Sequence, residues 1–317
     1  MTVNHHIVCI YKKGWLNQLV ILGIIFLVTT AQAQDAQPHE RIQVLKLHHL
    51  KGEVPVFYSD GYEERAAYIQ NLAVPASRFF QKPEILDVEV ALQLVVLGPE
   101  DWVRFTKLPY GIAHILPDPP TAIMAASADN VIAKGIITIK EQMSKDIFKL
   151  LDEMEIPFDE AAATFTDLIA FHEMGHIYAH HHGSQLAWPE QKWLGEFVAT
   201  YLAYAYMKEN QPKLARLWEI MFDQLAVIPG VKHTTLTDFE ELYLGVGGDN
   251  YRWYQAMFGQ RVFEVYTKSG ISFMHALKKS LSDNPVTSKD DPFRLKELDA
   301  ISEGFTTWAK GPAGNLK

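Results

Sequence analysis

The chain has 317 residues, of which 48% are hydrophobic, and a formal net charge of −9 at pH 7. This acidic balance argues against a nucleic-acid partner and against attraction to anionic membrane surfaces. The only cysteine is Cys9, so the chain can form no intramolecular disulfide. The length suits one large domain or two closely packed halves.

The N-terminal segment has the order of a signal peptide. Lys12 and Lys13 precede an apolar run from Leu19 to Val28, and Ala31-Gln32-Ala33 follows as a small-x-small cleavage sequence. We therefore expect residues 1–33 to direct export to the periplasm or the medium, an uncleaved N-terminal anchor being the alternative. The run is short for a membrane span and no second one follows, so we expect no stable span after cleavage.

The next part of the chain predicts short strands and helices in alternation. Val88 to Leu97 is almost continuously apolar, which indicates a central strand. Thr121 to Ala126 is predicted as an edge strand, because the prolines just before it cannot donate ladder hydrogen bonds. The other predicted elements before residue 121 are strands at Ile42 to Leu47 and Ile112 to Leu116, and a helix at Glu63 to Phe80.

From about Glu141 onward, the hydrophobic spacing predicts helices throughout. The sequence thus predicts an α+β fold with two parts. Residues 34–157 are expected to form a small α/β subdomain with a mixed sheet and an edge strand, and residues 158–317 a mainly helical zinc-binding subdomain that carries the sequence described next.

The helical part contains the sequence His172-Glu173-Met174-Gly175-His176 on a helix predicted to begin near Asp159 and to stop near Gly183. This HExxH spacing is typical of zinc sites, because residues four apart lie on one helix face and two imidazoles can reach a single ion. Glu173 projects beside that face, where it can act as a general base. The alternative is a pair of packed core histidines without metal.

A catalytic zinc ion commonly has three protein ligands and one open position. Glu196 is the first candidate for the third ligand, because it lies on the inward stripe of the next predicted helix, between Trp193 and Phe197. A carboxylate among aromatic residues is costly unless a positive partner faces it. The alternative is a glutamate at the edge of the stripe that reaches solvent.

His182 is the second candidate, because it stands ten residues after His172 as in the metzincin pattern. That pattern requires a glycine at position 179 to break the helix, and Ala179 continues it instead. His182 would then lie about 15 Å along the helix axis from His172. We therefore favour His172, His176 and Glu196 as ligands of one Zn²⁺ ion.

An HExxH helix followed by a glutamate on the next helix resembles the gluzincin peptidases, and the spacing from His176 to Glu196 resembles the thermolysin-like members. The resemblance implies a zincin-like fold, a zinc-dependent hydrolase of peptide bonds, and an edge strand that pairs with the substrate backbone. Two departures stand out. Thr200 occupies the position of an aspartate that orients a histidine ligand, and the aminopeptidase GAMEN-type strand is missing.

The resemblance also implies a tyrosine or histidine, well downstream of the glutamate, that stabilises the oxyanion. Tyr254, near the start of a helix after a glycine-rich loop, is the first choice. Tyr251 and His233 are further candidates, and core packing of these aromatic side chains is the alternative.

These residues predict a secreted zinc metallopeptidase that acts on a peptide or protein substrate, with Glu173 and Tyr254 as catalytic groups. A zincin-fold protein that binds a peptide or a partner without cleaving it is the first alternative. A metal-free structural protein is the second, and a non-peptide amide hydrolase would need the same site. The sequence does not specify the oligomeric state or the substrate preference.

Overall fold

The computed structural model describes residues 38–184, 186, 191–227 and 230–310. The predicted signal peptide, residues 1–33, lies outside these ranges. Over these described residues the fold is 63% helical and has one small mixed sheet, which confirms the predicted α+β class.

The sheet has five short strands in the order β1-β2-β3-β5-β4. β2, β3 and β5 run parallel to one another, whereas β1 and β4 pair antiparallel on the two outer sides. β3 is the central strand, as the continuous apolar run predicted, and four of its five residues are buried. It is shorter than the predicted Val88 to Leu97, because residues 88–92 form no strand. The strands are β1 (His48–Leu50), β2 (Val56–Tyr58), β3 (Gln93–Leu97), β4 (His114–Leu116) and β5 (Thr121–Ala125).

The predicted edge strand at Thr121 to Ala126 is wrong in its position in the sheet. β5 lies between β3 and β4, and all of its residues are buried. The prolines end at Pro120, before the strand begins, so the amides of β5 itself remain free to pair on both sides. The chain turns back between β4 and β5, and β4 is the outer strand.

The strand predicted at Ile42 to Leu47 is also wrong, because this segment belongs to helix α1 (Pro38–Leu45). Ile42 and Leu45, one helical turn apart, are buried in a cluster that includes Trp102 and residues of β3 and β5. Val44, which completed the apparent alternation with Ile42, is 68% exposed.

Helices form most of the remaining described chain. α2 (Glu63–Gln81) corresponds to the predicted helix at Glu63 to Phe80. The helices that follow are α3 (Pro99–Phe105), α4 (Val131–Thr138), α5 (Lys145–Met154), α6 (Phe158–His180), α7 (Lys192–Asn210), α8 (Pro212–Ala226), α9 (Leu236–Leu242), α10 (Gly248–Ser269), α11 (Ser272–Asp283), α12 (Leu295–Ile301) and α13 (Phe305–Lys310), with short 3-10 segments at Lys140–Gln142 and Tyr243–Val246.

Two helices, α6 and α7, lie at the centre of the molecule. α6 packs against β4 and β5, and also against α7. α7 is buried on every side from Trp193 to Met207, so it has no solvent-facing stripe in that range. One continuous core includes Met124 of the sheet, Phe171 of α6 and Phe197 of α7. In the described ranges, no helix is both long and apolar enough to cross a membrane.

Candidate metal centre

Helix α6 carries the HExxH sequence in its second half. It starts directly after Pro157, with Asp159 and Glu160 in its first turn, where acidic side chains favour a helix N-terminus. It ends at His180, earlier than the predicted stop at Gly183. The hydroxyl of Ser184 donates to the carbonyl of Ala179 at 2.6 Å, which satisfies one of the last carbonyl groups of the helix.

Three donor atoms from α6 and α7 converge on one point. Nε2 of His172 lies 3.0 Å from Nε2 of His176. Oε2 of Glu196 lies 3.2 Å from the first nitrogen and 3.4 Å from the second. The three side chains are 11%, 13% and 3% exposed, respectively. This group could hold a metal ion, and Glu196 does not reach solvent at the edge of its helix.

The chemistry of this donor set fits a cation. Two donors of a tetrahedral zinc ion, each at about 2.0–2.1 Å from the metal, lie about 3.3 Å apart. The observed separations of 3.0, 3.2 and 3.4 Å match that edge length. Two imidazole lone pairs and a buried carboxylate repel one another at this range unless a proton or a cation lies between them.

Gly175 lets the two helices approach closely enough for this convergence. A Cβ atom added at Gly175 would lie 2.7 Å from the carbonyl oxygen of Ala199 and 2.9 Å from its Cα atom. Both are backbone atoms of α7, so no side-chain rotation could relieve the clash. The glycine within the HExxH sequence therefore sets the distance between the histidines and Glu196.

The two imidazoles differ in their outer contacts. Nδ1 of His172 lies 3.1 Å from the hydroxyl of Thr200, one turn after Glu196 on α7. A proton on this Nδ1 leaves the Nε2 lone pair free for a metal. Nδ1 of His176 is buried and has no hydrogen-bond partner within the described ranges.

Besides the two histidines, three polar side chains donate hydrogen bonds to the Glu196 carboxylate, and the sequence analysis did not predict these contacts. The hydroxyls of Tyr243 and Tyr251 donate to Oε1 at 2.6 Å and 3.1 Å. Nε2 of Gln255 donates to Oε2 at 2.9 Å. Tyr251 and Gln255 lie four residues apart on α10 and share one helix face, which is a signal that the sequence contained. Tyr243 has no such local signal.

Charge and burial act together on this cluster. Burial alone raises the pKa of Glu196, but the charge of His176 and hydrogen bonds from both imidazoles outweigh it and hold the pKa well below its ordinary value. Burial alone lowers the pKa of His176, and Glu196 reverses that effect and raises it. A proton on His176 and a metal ion would occupy the same place, so metal binding competes with protonation of this pair.

Glu173 is half-buried next to the face of α6 that carries His172 and His176. Burial raises the pKa of its carboxyl group above the ordinary value, and Glu196 raises it further, whereas the two histidines oppose the shift. A carboxyl group with a raised pKa, close to both histidines, suits a group that must accept a proton and release it again.

The other site residues proposed from the sequence have contacts outside the cluster of His172, His176 and Glu196. The hydroxyl of Tyr254 donates to the carbonyl of Thr235 at 2.7 Å, and the centre of its ring lies 4.9 Å from the centre of the Phe239 ring. Nδ1 of His233 lies 3.7 Å from Oδ1 of Asp238. His182 is exposed and does not belong to the metal-binding group of the described chain.

Comparison of the chain with protein-family models, with curated proteins and with solved structures finds no match. The functional assignment therefore rests on the residues and geometry of the centre.

Proposed function

We propose that this protein is a zinc-dependent peptidase of the gluzincin type. One observation carries the proposal: Nε2 of His172, Nε2 of His176 and Oε2 of Glu196 lie within 3.4 Å of one another, and Glu173 stands next to His172 on the same helix. The signal sequence predicted at residues 1–33 would place the activity outside the cytoplasm.

The donor set favours zinc among the common ions. Two imidazole nitrogens and one carboxylate oxygen are a ligand set used by catalytic zinc sites, which leave a fourth position for water or substrate. Calcium and magnesium instead prefer sites made entirely of oxygen. When bound, zinc supplies Lewis-acid chemistry, because it increases the acidity of water and polarises a carbonyl oxygen.

Glu173 is the proton carrier in this proposal. Its carboxylate takes a proton from the water that attacks the scissile carbonyl, and it passes the proton to the departing amine. The position of Glu173 beside both histidines, and the raised pKa that burial gives it, support this role.

We assign the oxyanion donor to Tyr251 in place of the sequence choice, Tyr254. The Tyr251 hydroxyl lies at the donor cluster, 3.1 Å from Oε1 of Glu196, whereas the Tyr254 hydroxyl is directed to the carbonyl of Thr235 instead. Burial raises the pKa of Tyr251 well above its ordinary value, so the hydroxyl stays protonated and remains a hydrogen-bond donor.

The outer strand of the sheet supports a peptide substrate. Among the strands of the described chain, β4 pairs only with β5, so its other side offers backbone groups to an added strand. Helix α6 packs against β4, which supports the binding of a peptide near the helix that carries His172 and His176. We propose that an extended peptide adds to β4, the strand that replaces the predicted Thr121 to Ala126 edge.

A peptide library tests the proposal on zinc-loaded protein. We expect the wild-type chain to cleave library peptides, and Glu173→Gln to lower turnover by about 10²- to 10⁴-fold because the general base is lost. Zinc content should not change, since Glu173 is not among the three converging ligands. Glu160→Gln makes the same change at an exposed position of α6 and serves as the control.

Two outcomes would contradict the proposal. Full turnover in Glu173→Gln would remove Glu173 from the chemistry. A zinc-loaded wild-type protein that binds peptides but leaves the whole library intact would identify a binding protein instead of an enzyme.

A further inference from the structure

The two oxygens of the Glu196 carboxylate have different surroundings. Oε2 faces both histidines at 3.2 and 3.4 Å and also accepts the Gln255 amide. Oε1 accepts the hydroxyls of Tyr243 and Tyr251. Only one carboxylate oxygen is therefore presented to the ion position, while the other is turned towards the two tyrosines.

We propose that Tyr243 is a positioning residue that keeps Oε1 of Glu196 away from the metal, so that Glu196 binds through Oε2 alone. This inference rests on the zinc ion of the proposed function and does not depend on peptide hydrolysis. Tyr243 acts through Glu196 and has no contact with either histidine ligand among those given by the structure.

Hydrogen-bond length favours Tyr243 over Tyr251 for this role. The Tyr243 hydroxyl donates at 2.6 Å and the Tyr251 hydroxyl at 3.1 Å, to the same oxygen. A shorter bond to an ionised carboxylate is the stronger one. Tyr251 can therefore turn towards a substrate while Tyr243 continues to hold Oε1.

The backbone at Tyr243 is unusual for a bulky residue. Its φ angle is 48° and its ψ angle is −113°, which lies outside the regions that L-residues normally adopt. Such conformations persist only where surrounding contacts enforce them, and they cluster at functional sites. The hydroxyl bond to Glu196 is one of the contacts that this backbone conformation makes possible.

The segment that carries Tyr243 is attached to the helix that carries Glu196. The carboxylate of Glu240 accepts the backbone N–H groups of Lys192 and Trp193, at 3.0 and 2.7 Å, at the start of α7. The Lys192 ammonium donates to the Glu240 carbonyl at 2.6 Å and lies 5.4 Å from the centre of the Tyr243 ring. These contacts connect the segment that carries Tyr243 to the first turn of the helix that carries Glu196.

Restriction to one oxygen has a chemical consequence. A carboxylate with both oxygens free can bind a metal in bidentate fashion, which adds a ligand and suits larger ions. A single oxygen with two imidazoles keeps three protein ligands and an open fourth position, as a catalytic zinc ion requires. Tyr243 would thus favour four-coordinate zinc over higher coordination.

Metal affinity measures this role without any enzyme assay. Zn²⁺ dissociation constants would be determined by chelator competition for the full chain, for Tyr243→Phe and for Tyr254→Phe. We expect about 10- to 100-fold weaker binding in Tyr243→Phe, the usual loss when a partner of a metal ligand is removed. Tyr254→Phe is the matched control, because it loses a bond of similar length, 2.7 Å, to the Thr235 carbonyl.

Cobalt spectroscopy provides a second readout. In the Co²⁺-loaded protein, visible d–d absorption weakens as the coordination number rises above four, so Tyr243→Phe should absorb less per ion than wild type. The ratio of Cd²⁺ to Zn²⁺ affinity should also rise in that variant.

Three results would overturn the inference. One is a Tyr243→Phe protein with wild-type zinc affinity and a wild-type cobalt spectrum. Another is an equal loss of affinity in Tyr243→Phe and Tyr254→Phe, which would indicate a general packing effect. The third is a wild-type chain that binds no zinc, and only this result would also end the proposed function.

Discussion

Glu196 separates two parts of the centre that are built in different ways. On one side, His172 and His176 share a single helix, and their spacing alone brings them together. On the other side, Tyr243 and Tyr251 approach from a 3-10 segment and from α10, more than 40 residues further along the chain. The comparison indicates that the two histidines come together through local periodicity, whereas the groups that orient Glu196 depend on tertiary packing.

The two sides should also differ in how well they tolerate amino-acid substitutions. The histidine side rests on one close helix contact at Gly175, where backbone meets backbone. The tyrosine side rests on side-chain hydroxyls, which can be removed one at a time without filling or opening much space. Substitutions at Gly175 should therefore change the distance between the histidines and Glu196, whereas substitutions of the tyrosines should change only the orientation of the Glu196 carboxylate.

The largest expected effect is loss of the shared residue itself. Glu196→Ala removes one of the three converging donors, so we expect zinc affinity to fall by more than the roughly 100-fold that loss of an outer hydrogen-bond partner costs. Zinc content of the purified chain, measured by elemental analysis, checks this. His182→Ala alters an exposed histidine and should retain zinc. Zinc lost in His182→Ala and retained in Glu196→Ala would favour a metzincin arrangement.

The next effect tests the helix contact on the histidine side. Gly175→Ala places a Cβ atom 2.7 Å from the Ala199 carbonyl, so α6 and α7 must separate. We expect a loss of about 1–3 kcal/mol in the free energy of unfolding, as for other overpacked cores, together with weaker zinc binding. Thermal or denaturant unfolding and a zinc titration measure the two effects.

Gly195→Ala is the matched control for that helix pair. Its added Cβ atom would meet only Nε2 of His180, at an ordinary distance of 3.8 Å. Alanine in a helix interior should then be neutral or stabilising, by up to about 1 kcal/mol. Equal destabilisation by the two substitutions would show that the close approach at Gly175 has no special role.

The smallest expected effect concerns the outer partner of His172. Thr200→Val keeps the shape of the side chain but removes the hydroxyl that lies 3.1 Å from Nδ1. We expect zinc affinity to fall by about tenfold, at the lower end of the range for such partners. Thr200→Ser retains a hydroxyl and should bind zinc like wild type. Identical affinities in the valine and serine variants would mean that Thr200 does not orient His172.

Much of the fold was accessible from local patterns. The central strand β3, the helix α2 and the helical half could be predicted, because continuous apolar runs and helical periodicity are properties of neighbouring residues. The two wrong predictions, the strand at Ile42 to Leu47 and the edge position of Thr121 to Ala126, concern features that depend on contacts between residues far apart in the chain. Ile42 and Leu45 lie on one face of α1 and are buried in a cluster with Trp102 of α3 and with residues of β3 and β5, and β5 is internal because β4 folds back along its outer side.

The same division applies to the centre. The sequence by itself determined the pairing of His172 with His176, since the α-helix places residues four apart on one face, and it identified Glu196 because a carboxylate inside an aromatic helix requires a positive partner. Only the tertiary structure decided that Tyr243 and Tyr251 hold that carboxylate while Tyr254 turns to Thr235. Contacts between residues far apart in the chain depend on how the helices pack, and no local spacing encodes that arrangement.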